Sequence, residues 1–348
     1  MERVEARPAG AADAPLDLET ADAPQVAYGF LVQRGDAELA VVALDGSEPV
    51  VRFPAPWPRR FGTVAVSPDG GVAVFAGVHA LQAVDAHGTL LWEHRHGCWS
   101  AAVCTEDHAS FTEYADDEDH AWADSGSAAF SPDGKLLWAH VRKRLGDDVA
   151  EEWLVLDPLD GRVLGRADTD TVGSGSFHIP HPDPSRMGLS VGEGEETSPV
   201  LWGHWDGSEV HVQKFVDEVL LDVSPSGREF MSTDTGQWDL YLTALPDGRA
   251  LRRLAHDTVP AELFPMGEQR VRWDFEGAIP HDGLAVVGSE HPQDGSRHWL
   301  VDLRTMTVRA RITYPSPVSG PPRPAGPGAW WTLSADHRGV RLWSLPDT

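Results

Sequence analysis

Short apolar runs recur along the chain, each broken by a tight-turn signal. Thr63-Val64-Ala65-Val66 leads into Ser67-Pro68-Asp69-Gly70 and then into Val72-Ala73-Val74-Phe75. Runs this short, bounded by proline, aspartate and glycine, predict strand, turn, strand rather than helix. Proline presets φ at the first corner, and glycine supplies a backbone conformation that other residues resist. The tetrapeptide returns at Ser131-Pro132-Asp133-Gly134 and as Ser224-Pro225-Ser226-Gly227. Looser versions stand at His181-Pro182-Asp183-Pro184-Ser185 and Pro280-His281-Asp282-Gly283, so the steps are 64, 50, 43 and 56 residues.

A second series interleaves with the first: Asp45-Gly46, His87-Gly88, Asp160-Gly161, Asp206-Gly207, Asp247-Gly248, Arg304-Thr305 and Leu345-Pro346-Asp347. Each follows an apolar run such as Leu39-Ala40-Val41-Val42-Ala43-Leu44. Two interleaved hairpins per unit imply four strands, a to d, and a unit of roughly 40–50 residues with four strands is a β-propeller blade. The expected fold is therefore all-β, a single seven-bladed propeller over 25–348. Its last unit ends after strand c, and an open sheet edge invites pairing. Glu2-Arg3-Val4-Glu5-Ala6 is expected to close the ring as the missing outer strand, with the rest of 1–24 a flexible lead-in. The long first step places an insertion, 97–126, in the third blade.

Three stretches carry resemblances. Leu333-Ser334-Ala335-Asp336-His337-Arg338-Gly339-Val340-Arg341-Leu342-Trp343 resembles the b–c hairpin of a WD40 repeat. Val84-Asp85-Ala86-His87-Gly88-Thr89-Leu90-Leu91-Trp92 is similar to the tryptophan-containing repeat of quinoprotein propellers. Phe130-Ser131-Pro132-Asp133-Gly134-Lys135-Leu136 resembles turns of bacterial WD40-like and lactonase-like propellers. Together they imply a propeller of the bacterial WD40-like or quinoprotein-repeat-like kind without choosing a family. The regular glycine–histidine and tryptophan–aspartate pairs of a full WD40 array are absent.

Composition narrows the partners. The net charge of −26 repels phosphate backbones, so neither nucleic acid nor an anionic membrane is expected. Lysine is confined to Lys135, Lys143 and Lys214, which fits a GC-rich genome or a halophilic surface. Met1 to Pro24 has no apolar signal core, and no apolar run reaches the ~18 residues of a membrane span, so cytoplasmic residence is expected. Cys98 and Cys104 read as free thiols in that compartment.

Because the a–b and c–d turns are tight and repetitive, a site is expected on the opposite face, where the b–c and d–a connections vary. The 97–126 insertion offers His108, Glu113, Asp116, Asp117, Glu118, Asp119 and His120, with Trp99 inside it and His94 and His96 just before. Histidines and carboxylates are metal ligands, but their spacing fits no zinc or calcium loop, and a solvated acidic loop is the simpler reading. Neither metal nor cofactor is expected. The binding candidates are Trp57, Arg59, Arg60, Trp99, His120, Arg142, Arg144, Trp238, Arg270, Arg272, Trp273, Asp274, His291 and Arg297. Tryptophan beside arginine is the composition of a binding hot spot, and inter-blade packing or local ion pairing is the competing use. Trp92, Trp138, Trp202, Trp299 and Trp343 lie within apolar strands and should be core.

There is no Gly-x-Ser-x-Gly elbow, phosphate loop or HExxH motif. The expected function is noncatalytic binding of a protein or small ligand. The alternative is a hydrolase-, lactonase- or cyclase-like enzyme with a motif-less His/Asp/Glu/Arg site at the channel.

Overall fold

The structure, a computed structural model, describes residues 1–47, 49–100, 104–121, 123–143, 150–194, 198–215, 218–245, 247–260, 271–289 and 297–346. Seven sheets, each built on four antiparallel strands, form the ring. The blades run over 25–54, 62–95, 127–168, 175–215, 218–254 and 273–313, and the seventh combines 318–344 with an N-terminal strand. This is the expected seven-bladed propeller, closed by the N-terminus. No helix of the described residues is long and apolar enough to cross a membrane.

Closure uses a different stretch from the one expected. Arg7–Asp13 pairs antiparallel with Gly339–Ser344 as the outer strand of blade seven. Glu2–Glu5 instead pairs parallel with Thr307–Thr313 and gives blade six a fifth strand. Ala6 lies between the two strands and is 1% exposed. Sequence masks the closing strand because Arg7-Pro8-Ala9-Gly10 has poor β-propensity, yet an outer strand tolerates the proline's missing N–H. In the stretch after it, Leu16 N donates to Gln33 Oε1 at 2.7 Å, and Gln33 Nε2 donates back to Leu16 O at 3.1 Å.

The repeated tetrapeptides are a–b turns. In the first, the Ser67 hydroxyl bonds Asp69 Oδ1 at 2.5 Å and accepts the Val72 amide at 3.0 Å. Ser131, Asp133 and Leu136 repeat this at 2.7 and 3.0 Å. Gly70 and Gly134 take φ of 71° and 70°, the left-handed region that glycine enters freely. The core is a series of inter-blade layers. Trp138 and Trp153 of blade three, ring centroids 4.9 Å apart, pack with Met187 and Leu189 of blade four. The five tryptophans expected in the core are all buried.

The 97–126 segment connects the outer strand of blade two, Leu90–Arg95, to the inner strand of blade three, Ser127–Phe130. It therefore precedes the third blade instead of interrupting it. A step counted from one a–b turn to the next spans a blade boundary, so its excess residues can lie in the d–a connection. With four antiparallel strands per blade, that connection lies on the face of the b–c loops.

Candidate functional site

The channel mouth on that face holds a cavity of about 350 Å³, lined by Phe177, Gln237, Asp274, Phe275, Glu276 and Pro321. Three inner strands supply most of the lining: Gly175–Pro180, Trp273–His281 and Val318–Pro324. On Trp273–His281, Trp273 is buried and Phe275 exposed although they stand two residues apart, because pairing with Leu284–Ser289 is irregular between Trp273 and Gly277. Phe177 and Phe275 are each 42% exposed, a large apolar payload to leave in water. Glu276 Oε2 accepts from Arg323 Nε at 2.5 Å, which fixes the rim of the cavity.

Beside the channel, Arg142 joins three segments. Its guanidinium donates to Ser100 O at 2.8 Å, to Asp124 Oδ2 at 2.9 Å and to Gly173 O at 3.4 Å, and lies 4.5 Å from the Trp99 ring centre. Glu151, opposite it, accepts the Gly173 amide at 2.7 Å and the Thr171 hydroxyl at 2.6 Å, with His140 Nε2 3.2 Å away. Burial opposes the Glu151 charge, but hydrogen bonds from His140, Thr171 and Gly173 outweigh it and hold the carboxyl below its ordinary value.

A hydrogen-bond series ends at that carboxylate. Trp153 Nε1, which can only donate, bonds His178 Nε2 at 2.9 Å. His178 Nδ1 therefore donates to Ser127, and further hydrogen bonds join Ser127 to Ser176 and Ser176 to His140 Nδ1, at 2.9, 2.7 and 3.0 Å. Burial, reinforced by His140, pushes His178 down to about 3, so its ring stays neutral and its Nε2 accepts from Trp153. Ser176, His140 and Glu151 stand in the order of an acyl-transfer triad. Here His140 and Glu151 are buried within the blade, and Ser176, hydrogen-bonded to Ser127 and His140, links blades three and four.

A separate cluster forms inside the 97–126 segment. Gly97 N bonds Arg142 O at 2.9 Å and fixes the backbone just before Cys98. Cys98 Sγ lies 3.2 Å from His120 Nε2, and Cys104 Sγ lies 3.3 Å from His108 Nε2. The four ligand-type atoms all fall within 4.8 Å of one another. His120 Nδ1 is 2.7 Å from Asp117 Oδ2, and His108 Nδ1 is 3.5 Å from Glu113 Oε2. The Tyr114 ring stacks on His120 at 4.9 Å, and its hydroxyl meets His79 Nδ1 at 2.8 Å. Burial, with Cys104 adding to it, pushes the Cys98 thiol up to about 12.

The predicted site residues scatter. Trp57, Trp99 and Trp273 are buried, and their rings serve packing. Arg59 pairs with Asp22 and Asp36, and Arg60 donates to Ala115 O at 2.8 Å. Arg142 and His120 are buried in the networks above. Trp238 is half-buried, its ring 6.3 Å from His256, and Arg297 is half-buried opposite Ser289. Arg272 is exposed and Asp274 lines the cavity. Arg144, Arg270 and His291 lie outside the described residues. Sequence reasoning missed Phe177 and Phe275, whose strands carry no regular alternation at these positions. It also set the cysteines apart from the histidines. Of the four histidines grouped with the insertion, His108 and His120 converge, whereas the His96 ring engages Gly97 O at 2.8 Å and His94 sits opposite Leu81.

No protein-family model matches this chain, and no curated protein matches its sequence. Solved structures do. The structure of U3-55K is 12% identical over 97% of this chain and 100% of that one, with a TM-score of 0.59. The RRP9 WD40 repeats are 12% identical over 98% and 100%, with a TM-score of 0.55. Kuenenia stuttgartiensis hydrazine synthase is 13% identical over 91% and 92%, with a TM-score of 0.54. These neighbours include WD40 repeats and an enzyme, and at such identity the likeness is one of fold: the chain has the seven-bladed propeller fold.

Proposed function

We propose that the protein is a noncatalytic binding propeller that captures a peptide segment or small ligand at the channel mouth, on the face of the b–c and d–a connections. The observation that carries this reading is the pair of exposed rings, Phe177 and Phe275, in a 350 Å³ cavity whose rim also carries Asp274 and Glu276. Concave sites that combine apolar rings with a few polar groups are where ligands bind. The net charge of −26 favours an occupant bearing positive charge beside an apolar group and disfavours nucleic acid. Cytoplasmic residence in a bacterium belongs to the same reading.

A displayed library of short peptides combining lysine or arginine with apolar residues supplies the probe. Peptides selected on the wild-type chain should lose about tenfold or more in affinity to Phe177→Ser and Phe275→Ser, roughly 1.4 kcal/mol. Both side chains are at the surface, so melting temperatures should hold. Selected peptides that bind both variants as tightly as wild type would falsify the proposal.

A further inference from the structure

Cys98, Cys104, His108 and His120 bring two sulfurs and two imidazole nitrogens to one point, with no two ligand atoms more than 4.8 Å apart. Ordinary zinc bond lengths in a tetrahedron put sulfur about 3.5 Å from nitrogen. The observed Sγ–Nε2 distances of 3.2 and 3.3 Å lie close to that span. Both histidines turn Nε2 inward and Nδ1 toward a carboxylate, Asp117 for His120 and Glu113 for His108. That outer partnership orients metal-bound imidazoles and raises their basicity. The segment also needs a staple. Among the described residues between Cys104 and Asp124 it contains the turn Phe111–Glu113 and the single helical turn Glu118–Ala121.

We propose that these four side chains bind one zinc(II) ion as a closed structural site. Two thiolates and two imidazoles select zinc over magnesium or calcium. Four protein ligands leave no position for water or substrate, so the ion holds structure and performs no chemistry. Its effect is positional: it ties the connection between blades two and three to Cys98, whose backbone Gly97 and Arg142 fix to the ring. This inference is independent of the binding site proposed above.

The full-length chain, purified reduced and metal-free, is titrated with cobalt(II) and then with zinc. One cobalt per chain should give tetrahedral ligand-field bands and a thiolate-to-cobalt charge-transfer band, and equimolar zinc should remove both. Cys104→Ser should weaken the charge-transfer band, and His108→Ala should weaken zinc binding. Asp117→Asn alters only an exposed outer partner and should cost about tenfold in zinc affinity. A folded, reduced wild-type chain that shows no thiolate–cobalt band overturns the proposal. So does zinc affinity that is the same in wild type, Cys104→Ser and His108→Ala.

Discussion

Asp222 lies on the inner strand of blade five with its carboxylate turned inward. It accepts the Val223 amide at 2.8 Å and the Ile279 amide of blade six at 2.7 Å. Burial lifts its pKa to about 7, and the two amides only partly oppose the rise. The folded chain therefore holds this proton more tightly than the unfolded chain does. Between about pH 4 and pH 7 the unfolded state releases the proton first, so Asp222 costs stability as pH rises and the cost levels off above its folded pKa. Urea unfolding of wild type and Asp222→Asn across that window should show the wild type losing ground by on the order of a few kcal/mol. Parallel pH profiles would exclude the effect. At this scale sequence gave partial access. Histidines and carboxylates in 97–126 were visible as a group, but the cysteines had no standard spacing to join them to it. Trp57, Trp99 and Trp273 stood in or near connections, and only packing shows that they are buried.

Turns are the elements that sequence described best, because their chemistry is local. Gly134 and Gly227 both adopt left-handed φ, 70° and 68°. An added Cβ at 134 meets nothing nearer than Pro68 at 3.4 Å, whereas at 227 it meets the His181 ring at 2.5 Å. That ring also bonds Gly227 O at 2.8 Å. Gly134→Ala should thus cost about 1 kcal/mol of left-handed strain. Gly227→Ala carries the same strain plus a displaced histidine, and should cost roughly twice as much or more. Chemical denaturation of the two variants decides it, and equal losses would show that the His181 contact adds nothing. The connections on the other face were less legible. Arg142 gathers Ser100, Asp124 and Gly173 from three places in the chain, and no local pattern announces such a junction.

For the molecule as a whole, the N-terminus holds the ring shut. Its two strands lie on blades six and seven, joined through Ala6. Deleting residues 2–5 removes the fifth strand from blade six, keeps the buried Ala6, and should lower the melting temperature slightly. Deleting 2–13 leaves Gly339–Ser344 as an open edge, and should lower it by several degrees more and promote self-association. Scanning fluorimetry with size-exclusion chromatography separates the two, and similar behaviour of both truncations would contradict closure by Arg7–Asp13.

Sequence by itself determined the repeat: its turns, strand count and blade number, because each Ser-Pro-Asp-Gly unit is specified by neighbours in the chain. It also determined which face is monotonous, and so where variable loops had to gather. Tertiary structure alone decided which N-terminal stretch closes the ring, since alternative strands compete for an edge that exists only once seven blades are assembled. It alone decided that Phe177 and Phe275, far apart in sequence, share one cavity. It alone brought Cys98 and Cys104 to His120 and His108. Those meetings depend on the path of an irregular connection, and irregular backbone carries no period from which a contact could be read.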